Sequence, residues 1–523
     1  MKTVNIKTPD EIIKHLKSEN SATLQKEQIQ TVSEFIYNHP DLKASLLSVF
    51  VVDERPLNCG FKIYVIFLVK NPTTIITLSV ALDKDDLTYP AITTKISSAS
   101  WYEREIHDLF GVTPSGIDLD PLVLHRDWHR GKNFPMRKDF HIDTQIPISE
   151  MPYEFTNQPH AEGMNQIAVG PIHAGIIEPG HLRFCSIGEK ILKFDAQLFY
   201  THKGIEKMAE GKTYDEVLNL AEHVCGMCAY AHSTAFCQAV ETLMQNQIPA
   251  RASYIRTICL ELERISSHMF DLMSICSAGG FGFGSVHAAR LREIIMRLNY
   301  KLTGHRFFRG LNAIGGLKKD IPNELFKMLF KEIEDFRTKF KNWEKLVMNS
   351  DSFLDRLEDT GILTKEEAVT LGIVGPASRA SGINRDIRCD FPYATYEKYT
   401  PKIYLYEEGD ALARTKIRID EIYESIQLIK NLVHDIPSGE VLNNSFLAFK
   451  EPKTSIGIVE SAKGELVHWI MATPDNKIYR WHVKSASYMN WRGMVQATMA
   501  NNIVPDGPLV NKSFNLCYAC VDR

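Results

Sequence analysis

The sequence predicts an α+β protein, with an N-terminal α/β module followed by a mainly α-helical bundle domain that carries small antiparallel sheets. The first observation is a pair of neighbouring apolar runs, GFKIYVIFLV and TTIITLSVAL, which are typical of strands. The second is a series of long segments after residue 167 in which apolar residues recur at helical spacing. The third is the late series TSIGIVES, GELVHWIMA and KIYRWHVK, which indicates a small antiparallel sheet with TPDNK as a hairpin turn.

The N-terminal module combines the two apolar strands with helices. The segments PDEIIKHLKSEN and LQKEQIQTVSEFIYNH space their apolar residues as helices do, and KNP marks the turn between the strands. SASWYEREIHDLFGV predicts a helix that ends near Gly111. Because a weakly periodic stretch rich in Pro and Gly follows, we expect a domain over residues 1–145, a linker over 146–166 and a second domain over 167–523.

The second domain owes its helical character to a few long amphipathic segments. They are YDEVLNLAEHV, ASYIRTICLELERISSHMFDLMSIC, LREIIMRLNYKLTG, NELFKMLFKEIEDFRTKFKNWEKLVM and DALARTKIRIDEIYESIQLIKNLVHDI. Helices of this kind bury their apolar faces by packing ridges into grooves, so we expect a bundle.

The composition of the chain argues against several classes of function. The chain has 523 residues, 44% of them hydrophobic, and a net charge of −4, which favours neither nucleic acid nor an anionic membrane as a direct partner. No apolar run approaches the roughly 18–20 residues of a membrane span, and the N-terminus lacks the apolar core of a signal peptide. We therefore expect a cytoplasmic protein whose membrane contact is made through partner subunits.

Four of the ten cysteines form two C-x-x-C pairs, Cys225/Cys228 and Cys517/Cys520. If the first pair is helical, both thiols and His232 share one buried face, which is costly unless something binds them. Four soft thiolates suit zinc, an iron–sulfur cluster or nickel.

Three interpretations of the two pairs remain open from spacing alone: a structural zinc site, a redox metal, and two coincidental core motifs. Zinc pairs usually lie within about 15–30 residues of each other, whereas these lie in the middle and at the end of the chain. We expect the six isolated cysteines to be small core residues.

Several motifs resemble one family. EHVCGMCAYAH is similar to the R-x-C-G-x-C-x-x-x-H motif of the large subunit of NiFe hydrogenases, and CYACVDR is similar to their C-terminal C-x-x-C-x-x-H/R motif. GPIHAGIIEPGHLRF, HKGIEKMAEG, ELERISSHMFDL, GPASRASGINRDIRCDFPYATYEKY and ESAKGELVHW resemble this family and the 49-kDa subunit of respiratory complex I. WYEREIHDLFGV and RDWHRGKNFPMRKDF resemble the 30-kDa subunit of complex I. Such a fusion is typical of the complex-I-related (group 4) hydrogenases of the hydrogenase-4 and formate hydrogenlyase type.

The resemblance implies a catalytic large subunit that oxidises H2 and reduces protons reversibly at a Ni–Fe centre. Cys225 and Cys517 would be terminal ligands of nickel, and Cys228 and Cys520 would bridge nickel to an iron that carries CO and cyanide. The resemblance also raises magnesium as a further metal. The terminal segment would be inserted into the core. Immature members of the family carry an extension that a protease removes after the residue matching Arg523, and the resemblance leaves open whether this chain is processed there or is encoded without an extension.

The resemblance assigns roles to further residues. Glu178 matches the family's proton-relay carboxylate, for which a surface glutamate is the plain alternative, and Cys517 can accept a proton transiently. His232 would hydrogen-bond a bridging sulfur beside the cofactor, for which a structural buried histidine is the alternative. Lys463 stands where hydrogenases usually have Arg above the open metal position, and Lys is not equivalent to Arg there.

Two more departures from the family pattern accompany Lys463: His223 replaces Arg, and Asn515-Leu516 replaces Asp-Pro. They leave open a competing function, a complex-I-like NADH/quinone oxidoreductase subunit, with quinone and NAD binding and without an active Ni–Fe site. A zinc-stabilised scaffold subunit is the non-enzyme alternative.

The resemblance also implies partners. Electrons would leave through an iron–sulfur small subunit with 4Fe-4S clusters, since this chain has no further cysteine cluster. Membrane antiporter-like subunits would hold the chain at the cytoplasmic face of the inner membrane. Formate dehydrogenase is a further candidate partner, and the maturation protease and nickel chaperones would act during assembly.

Overall fold

The computed structural model describes residues 19–125, 127–128, 131–150, 161–173 and 178–523. The chain divides into two compact units, one of Met1–Gln158, Gln197–His202 and Thr370–Gly372 and the other of Pro159–Ala196, Lys203–Val369 and Ile373–Arg523. A mixed sheet lies in the first unit, and long helices with small sheets make up the second, which confirms the predicted α+β class. The exact domain and linker boundaries stay a prediction.

The first unit is built on a four-stranded sheet of order β1-β4-β3-β2, in which β1 runs parallel to β4 and the other neighbours are antiparallel. The strands are β1 (Ser21–Leu24), β2 (Ser45–Asp53), β3 (Phe61–Lys70) and β4 (Thr73–Leu82). Strand β3 is buried along most of its length because it pairs on both edges. The predicted strands and the KNP turn are confirmed, since Lys70 pairs with Thr73 across Asn71-Pro72.

Two helices and a short parallel strand pair accompany this sheet in the described part of the unit. They are α1 (Ile29–Asn38), α2 (Ser100–Phe110), β5 (Thr88–Pro90) and β6 (Thr113–Ser115). Helix α2 ends as predicted, because Gly111 takes the left-handed conformation (φ 67°) that a helix C-cap favours. The predicted helix over PDEIIKHLKSEN falls almost entirely outside the described residues.

The second unit is dominated by helices. They are α3 (Ile205–Met208), α4 (Tyr214–Ala221), α5 (Ala229–Leu243), α6 (Ala250–Ala278), α7 (Gly282–Thr303), α8 (Asn323–Met348), α9 (Asp351–Leu357), α10 (Lys365–Leu371), α11 (Gly375–Ala380), α12 (Ile387–Asp390), α13 (Ala411–Asp435), α14 (Ala486–Met499), α15 (Gly507–Phe514) and α16 (Tyr518–Val521). Helix α6 lies at the centre, because it packs against α7, α13 and α15 and is buried on nearly every side. Among the described residues, no helix is both long and apolar enough to cross a membrane.

Small sheets flank these helices. They are formed by β7 (Met164–Val169), β8 (His181–Ile187) and β9 (Lys190–Gln197), by the short pair β10 (Asn312–Ala313) and β11 (Gly316–Leu317), and by β12 (Lys453–Ser461), β13 (Gly464–Ala472) and β14 (Ile478–Lys484). The β12-β13-β14 sheet is antiparallel throughout, as predicted, and β13 is buried along its whole length.

The backbones of α5 and β12 approach each other unusually closely near the middle of α5. A Cβ atom at Gly457 of β12 would lie 1.9 Å from the Ala235 carbonyl oxygen of α5, so no side chain fits there. Glycine lets the two backbones approach directly. The helix that follows the first cysteine pair is therefore held directly against strand β12.

Candidate metal centre

The first cysteine pair lies in a turn and not in a helix. Helix α5 begins at Ala229, and Cys228 is its N-cap with a non-helical backbone (φ −138°). The prediction that Cys225, Cys228 and His232 share one helical face is therefore wrong. The free N–H groups of Tyr230 and Ala231 at the helix start donate to the Glu263 carboxylate at 2.7 and 3.0 Å. A helix that began earlier would use those groups internally.

The second pair is anchored by α14 and by the segment before α3. Cys517 is the N-cap of α16, and its N–H donates to Ser487 Oγ at 3.1 Å. The Cys520 carbonyl accepts a hydrogen bond from Ser485 Oγ at 3.0 Å, and the Asp522 carbonyl accepts one from the Lys203 N–H at 2.7 Å. These bonds hold the segment that carries the second pair.

The four thiols converge. Cys225 Sγ lies 3.0 Å from Cys517 Sγ, and Cys228 Sγ lies 3.4 Å from Cys520 Sγ. The sulfurs of Cys225, Cys228 and Cys520 are all within 4.8 Å of one another, and all three residues are buried. Among the described residues, this is the one group of three or more Cys, His, Asp or Glu side chains with such spacing. No comparable oxygen-rich group for magnesium is found in that part of the chain.

The charge state of the thiols fits a bound cation. Hydrogen bonds from Cys228, Cys517 and Cys520 lower the pKa of Cys225 far below its ordinary value. Hydrogen bonding with Cys225, together with burial, raises the pKa values of the other three well above theirs. Burial therefore disfavours several thiolates side by side, and four thiolates require the positive charge of a metal.

His232 lies beside this cluster. Its Nε2 is 3.8 Å from Cys520 Sγ, and its Nδ1 is 2.9 Å from His468 Nε2. Burial lowers the pKa of His232 to about 4. The neutral imidazole of His232 therefore faces Cys520, which is a candidate bridging ligand.

Lys463 lies at the turn between β12 and β13 and forms a buried ion pair with Asp271 of α6. Arg418 Nε donates to the same carboxylate at 2.8 Å, and Asn515 Nδ2 donates to it at 2.6 Å. Asn515 ends α15 in the left-handed conformation, two residues before Cys517. Its neutral amide can approach Asp271 as a donor, whereas a carboxylate there would add a second buried negative charge.

Glu178 contacts the segment that carries the second pair. Its side chain reaches the surface but is partly covered, and its carboxylate accepts a hydrogen bond from the Ala519 N–H. Partial burial raises the pKa of Glu178, and the negative charge of Cys225 adds to this, while Ala519 and Lys203 oppose it. The carboxyl group is therefore within electrostatic reach of the cysteines and open to the surface.

Lys203 joins the two cysteine segments. Its Nζ donates to the carbonyl of Val224, just before Cys225, and to the carbonyl of Ala519, just before Cys520, both at 2.9 Å. The sequence analysis missed this role because nothing local marks a surface lysine as a bridge.

Three further residues around the cysteine cluster are not evident from the sequence. His468, Trp481 and Glu263 were not singled out, since their strands and helix are buried on all sides and show no polar face. Of the six isolated cysteines, Cys185, Cys237, Cys259 and Cys276 are buried and Cys389 is half-buried, but Cys59 is exposed, so the core assignment is wrong for Cys59.

Comparisons with known proteins match three family models. Residues 22–145 match the 30 Kd subunit of respiratory-chain NADH dehydrogenase. Residues 281–457 and 448–523 match its 49 Kd subunit. Residues 203–276, which contain the first cysteine pair, match the nickel-dependent hydrogenases.

Individual relatives cover nearly the whole chain. Formate hydrogenlyase subunit 5 of Escherichia coli (strain K12) is 34% identical over 97% of this chain and 89% of its own length. Hydrogenase-4 component G of the same organism is 32% identical over 96% of this chain and 87% of its own length. A chain of an archaeal membrane-bound sulfane sulfur reductase superposes with a TM-score of 0.65 at 27% identity, over 70% of this chain and 100% of that one. The chain therefore belongs to the family of complex-I-related hydrogenase large subunits, in which modules of the 30-kDa and 49-kDa types are joined.

Proposed function

We propose that this chain is the catalytic large subunit of a membrane-associated NiFe hydrogenase that interconverts H2 with protons and electrons. The observation that carries the proposal is the convergence of four thiols, three of them buried and that of Cys517 half-buried, from two distant segments, with Cys225 and Cys517 3.0 Å apart. The match of residues 203–276 to nickel-dependent hydrogenases supports nickel over zinc. When bound, the Ni–Fe group would supply soft Lewis-acid and redox chemistry toward H2.

The residues of this chain have separate tasks in that proposal. Cys225 and Cys517 would hold nickel, and Cys228 and Cys520 would hold both metals. Lys463 would place its ammonium group close to Cys517. Burial lowers the pKa of Lys463, and the Asp271 carboxylate and Cys517 oppose this by favouring the charged form. The buried helices and sheet around the cluster exclude water and strengthen these charge interactions.

Protons would pass through Glu178. The Cys517–Cys520 segment contacts its carboxylate through the Ala519 N–H, and the side chain opens to the surface. A carboxyl group with a raised pKa is suited to taking a proton from a thiol and releasing it to water. Cys517 would be the first acceptor, as a nickel ligand that can be protonated transiently.

Replacing Glu178 by Gln tests this route. The amide keeps the shape of the side chain but cannot carry a proton at ordinary pH, so H/D exchange should fall on the order of 100-fold or more. Metal content should be unchanged, because Glu178 is not a proposed ligand. Glu189→Gln, on the exposed turn between β8 and β9, is the matched control and should exchange normally. Normal exchange in a fully metallated Glu178→Gln variant would refute the route.

The proposal also includes partners. Relatives of this chain are named as parts of formate hydrogenlyase, hydrogenase-4 and an archaeal respiratory membrane complex. We propose an iron–sulfur small subunit as electron carrier and antiporter-like membrane subunits as the attachment, with formate dehydrogenase as a candidate for the formate-linked form.

Metal analysis and infrared spectroscopy of the purified protein test the function. Nickel and iron in equal amounts, together with CO and cyanide stretching bands, are the expected result. Protein without metal would favour the complex-I-like NADH/quinone subunit, whose 49 Kd family model matches much of the same domain. Zinc alone would favour a scaffold subunit.

A further inference from the structure

Three buried side chains, Trp481, His468 and His232, form a row that is linked through their ring nitrogens and ends at the cysteine cluster. Trp481 Nε1 of β14 lies 3.3 Å from His468 Nδ1 of β13, and His468 Nε2 lies 2.9 Å from His232 Nδ1 of α5. His232 Nε2 then lies 3.8 Å from Cys520 Sγ. All three side chains are at most 1% exposed, so water does not interrupt the row.

Trp481, the first residue of the row, determines which nitrogen donates and which accepts in each hydrogen bond that follows. The indole N–H of Trp481 is only a donor, so His468 Nδ1 must be an unprotonated acceptor. An imidazole without a proton on Nδ1 carries it on Nε2, and this N–H donates to His232 Nδ1. His232 then carries its own proton on Nε2, the nitrogen that faces Cys520.

We propose that Trp481, acting through His468, fixes His232 in the Nε2–H tautomer, so that the imidazole donates a hydrogen bond to Cys520 Sγ. His468 and Trp481 are positioning residues, since neither contacts a cysteine sulfur in this arrangement. His232 is thereby a donor toward the sulfur, and it can neither ligate a metal through Nε2 nor accept a proton there. The significance of Cys520 as a metal ligand rests on the proposed function, but the tautomer does not.

The consequence for a loaded centre follows from the hydrogen bond. A donor at a thiolate withdraws electron density from the sulfur, and side chains around metal ligands tune the metal in this way. Without the donor, more electron density reaches the iron, and its CO stretching band should move to lower wavenumber.

The tautomer itself can be measured in the full-length chain, labelled with ¹⁵N-histidine and as purified. Multiple-bond ¹H–¹⁵N correlation spectra distinguish protonated from unprotonated ring nitrogens. We expect His232 and His468 to show unprotonated Nδ1 and protonated Nε2. A protonated Nδ1 on His232 in the unaltered protein would overturn the proposal, whatever the variants do.

Variants then test the role of the row. Trp481→Phe removes the donor and should shift His232 away from a single Nε2–H form. Trp491→Phe is the matched control, because Trp491 is equally buried and its N–H has no hydrogen-bond partner in the described structure. An unchanged His232 tautomer in folded Trp481→Phe would refute control by Trp481.

Two substitutions at His468 test, through the CO stretching band of metallated protein, whether the row affects the metal centre. Gln at this position can accept from Trp481 and donate to His232, whereas Leu can do neither. In metallated protein, His468→Leu should shift the CO band and His468→Gln should leave it near the native position. Equal bands in the two variants would refute the transmission to Cys520, while a protein that binds no nickel or iron would refute the proposed function and leave the tautomer measurement decisive.

Discussion

Replacing Cys517 by Ser should abolish nickel retention. The thiolate of Cys517 is a soft ligand matched to nickel, and a serine hydroxyl stays protonated at neutral pH and binds soft metals poorly. Substitution of a side chain that only hydrogen-bonds to a metal ligand already lowers metal affinity roughly 10–100-fold. Loss of a ligand should therefore reduce affinity by at least about 100-fold. Nickel and iron content of purified protein, measured by elemental analysis, is the test.

Cys389→Ser is the matched control for this substitution. Cys389, like Cys517, is partly buried, and its sulfur lies 3.5 Å from the Pro401 carbonyl, away from the cluster. Serine can make the same hydrogen bond, so metal content should remain normal. Full nickel content in the Cys517→Ser protein would remove the second cysteine pair from the metal site.

Replacing Asp271 by Asn should strongly destabilise the second unit. The carboxylate is completely buried and forms ion pairs with both Lys463 and Arg418. Asparagine preserves the shape but leaves two buried cations without a counter-charge. Breaking a buried ion pair in this way costs about 3–5 kcal/mol. Urea denaturation followed by tryptophan fluorescence measures the loss. Asp335→Asn, which breaks an exposed pair with Lys339, is the control and should cost at most about 1 kcal/mol.

The ion pairs of Asp271 with Lys463 and Arg418 also predict that the free energy of unfolding depends on pH. Burial alone would raise the pKa of Asp271, but the charges of Lys463 and Arg418 outweigh it and hold the pKa far below the usual range. The carboxylate therefore contributes its full stabilisation above the ordinary pKa of about 3.9, and this contribution declines as the pH falls further. The difference in unfolding free energy between native protein and Asp271→Asn should be constant from about pH 7 to 5 and shrink below about pH 4. A difference that persists at low pH would contradict this electrostatic origin.

The sequence by itself determined the secondary structure of most segments and identified the four cysteines of the cluster. Strands β3 and β4 and the long helices follow from apolar periodicity, which acts over neighbouring residues and is legible without the fold. Two C-x-x-C motifs favour a soft-metal site, whatever their distance along the chain, but their spacing alone does not choose between zinc, a redox metal and two separate core motifs.

Only the tertiary structure decided how the site is assembled. Whether α5 starts before or after Cys228 depends on Glu263, a carboxylate from another helix that binds the free N–H groups at its start. The contact of Cys225 with Cys517 spans 292 positions, and that of His232 with His468 spans 236. Local periodicity carries no information about such pairs, because they form only where packed helices and strands bring distant segments together.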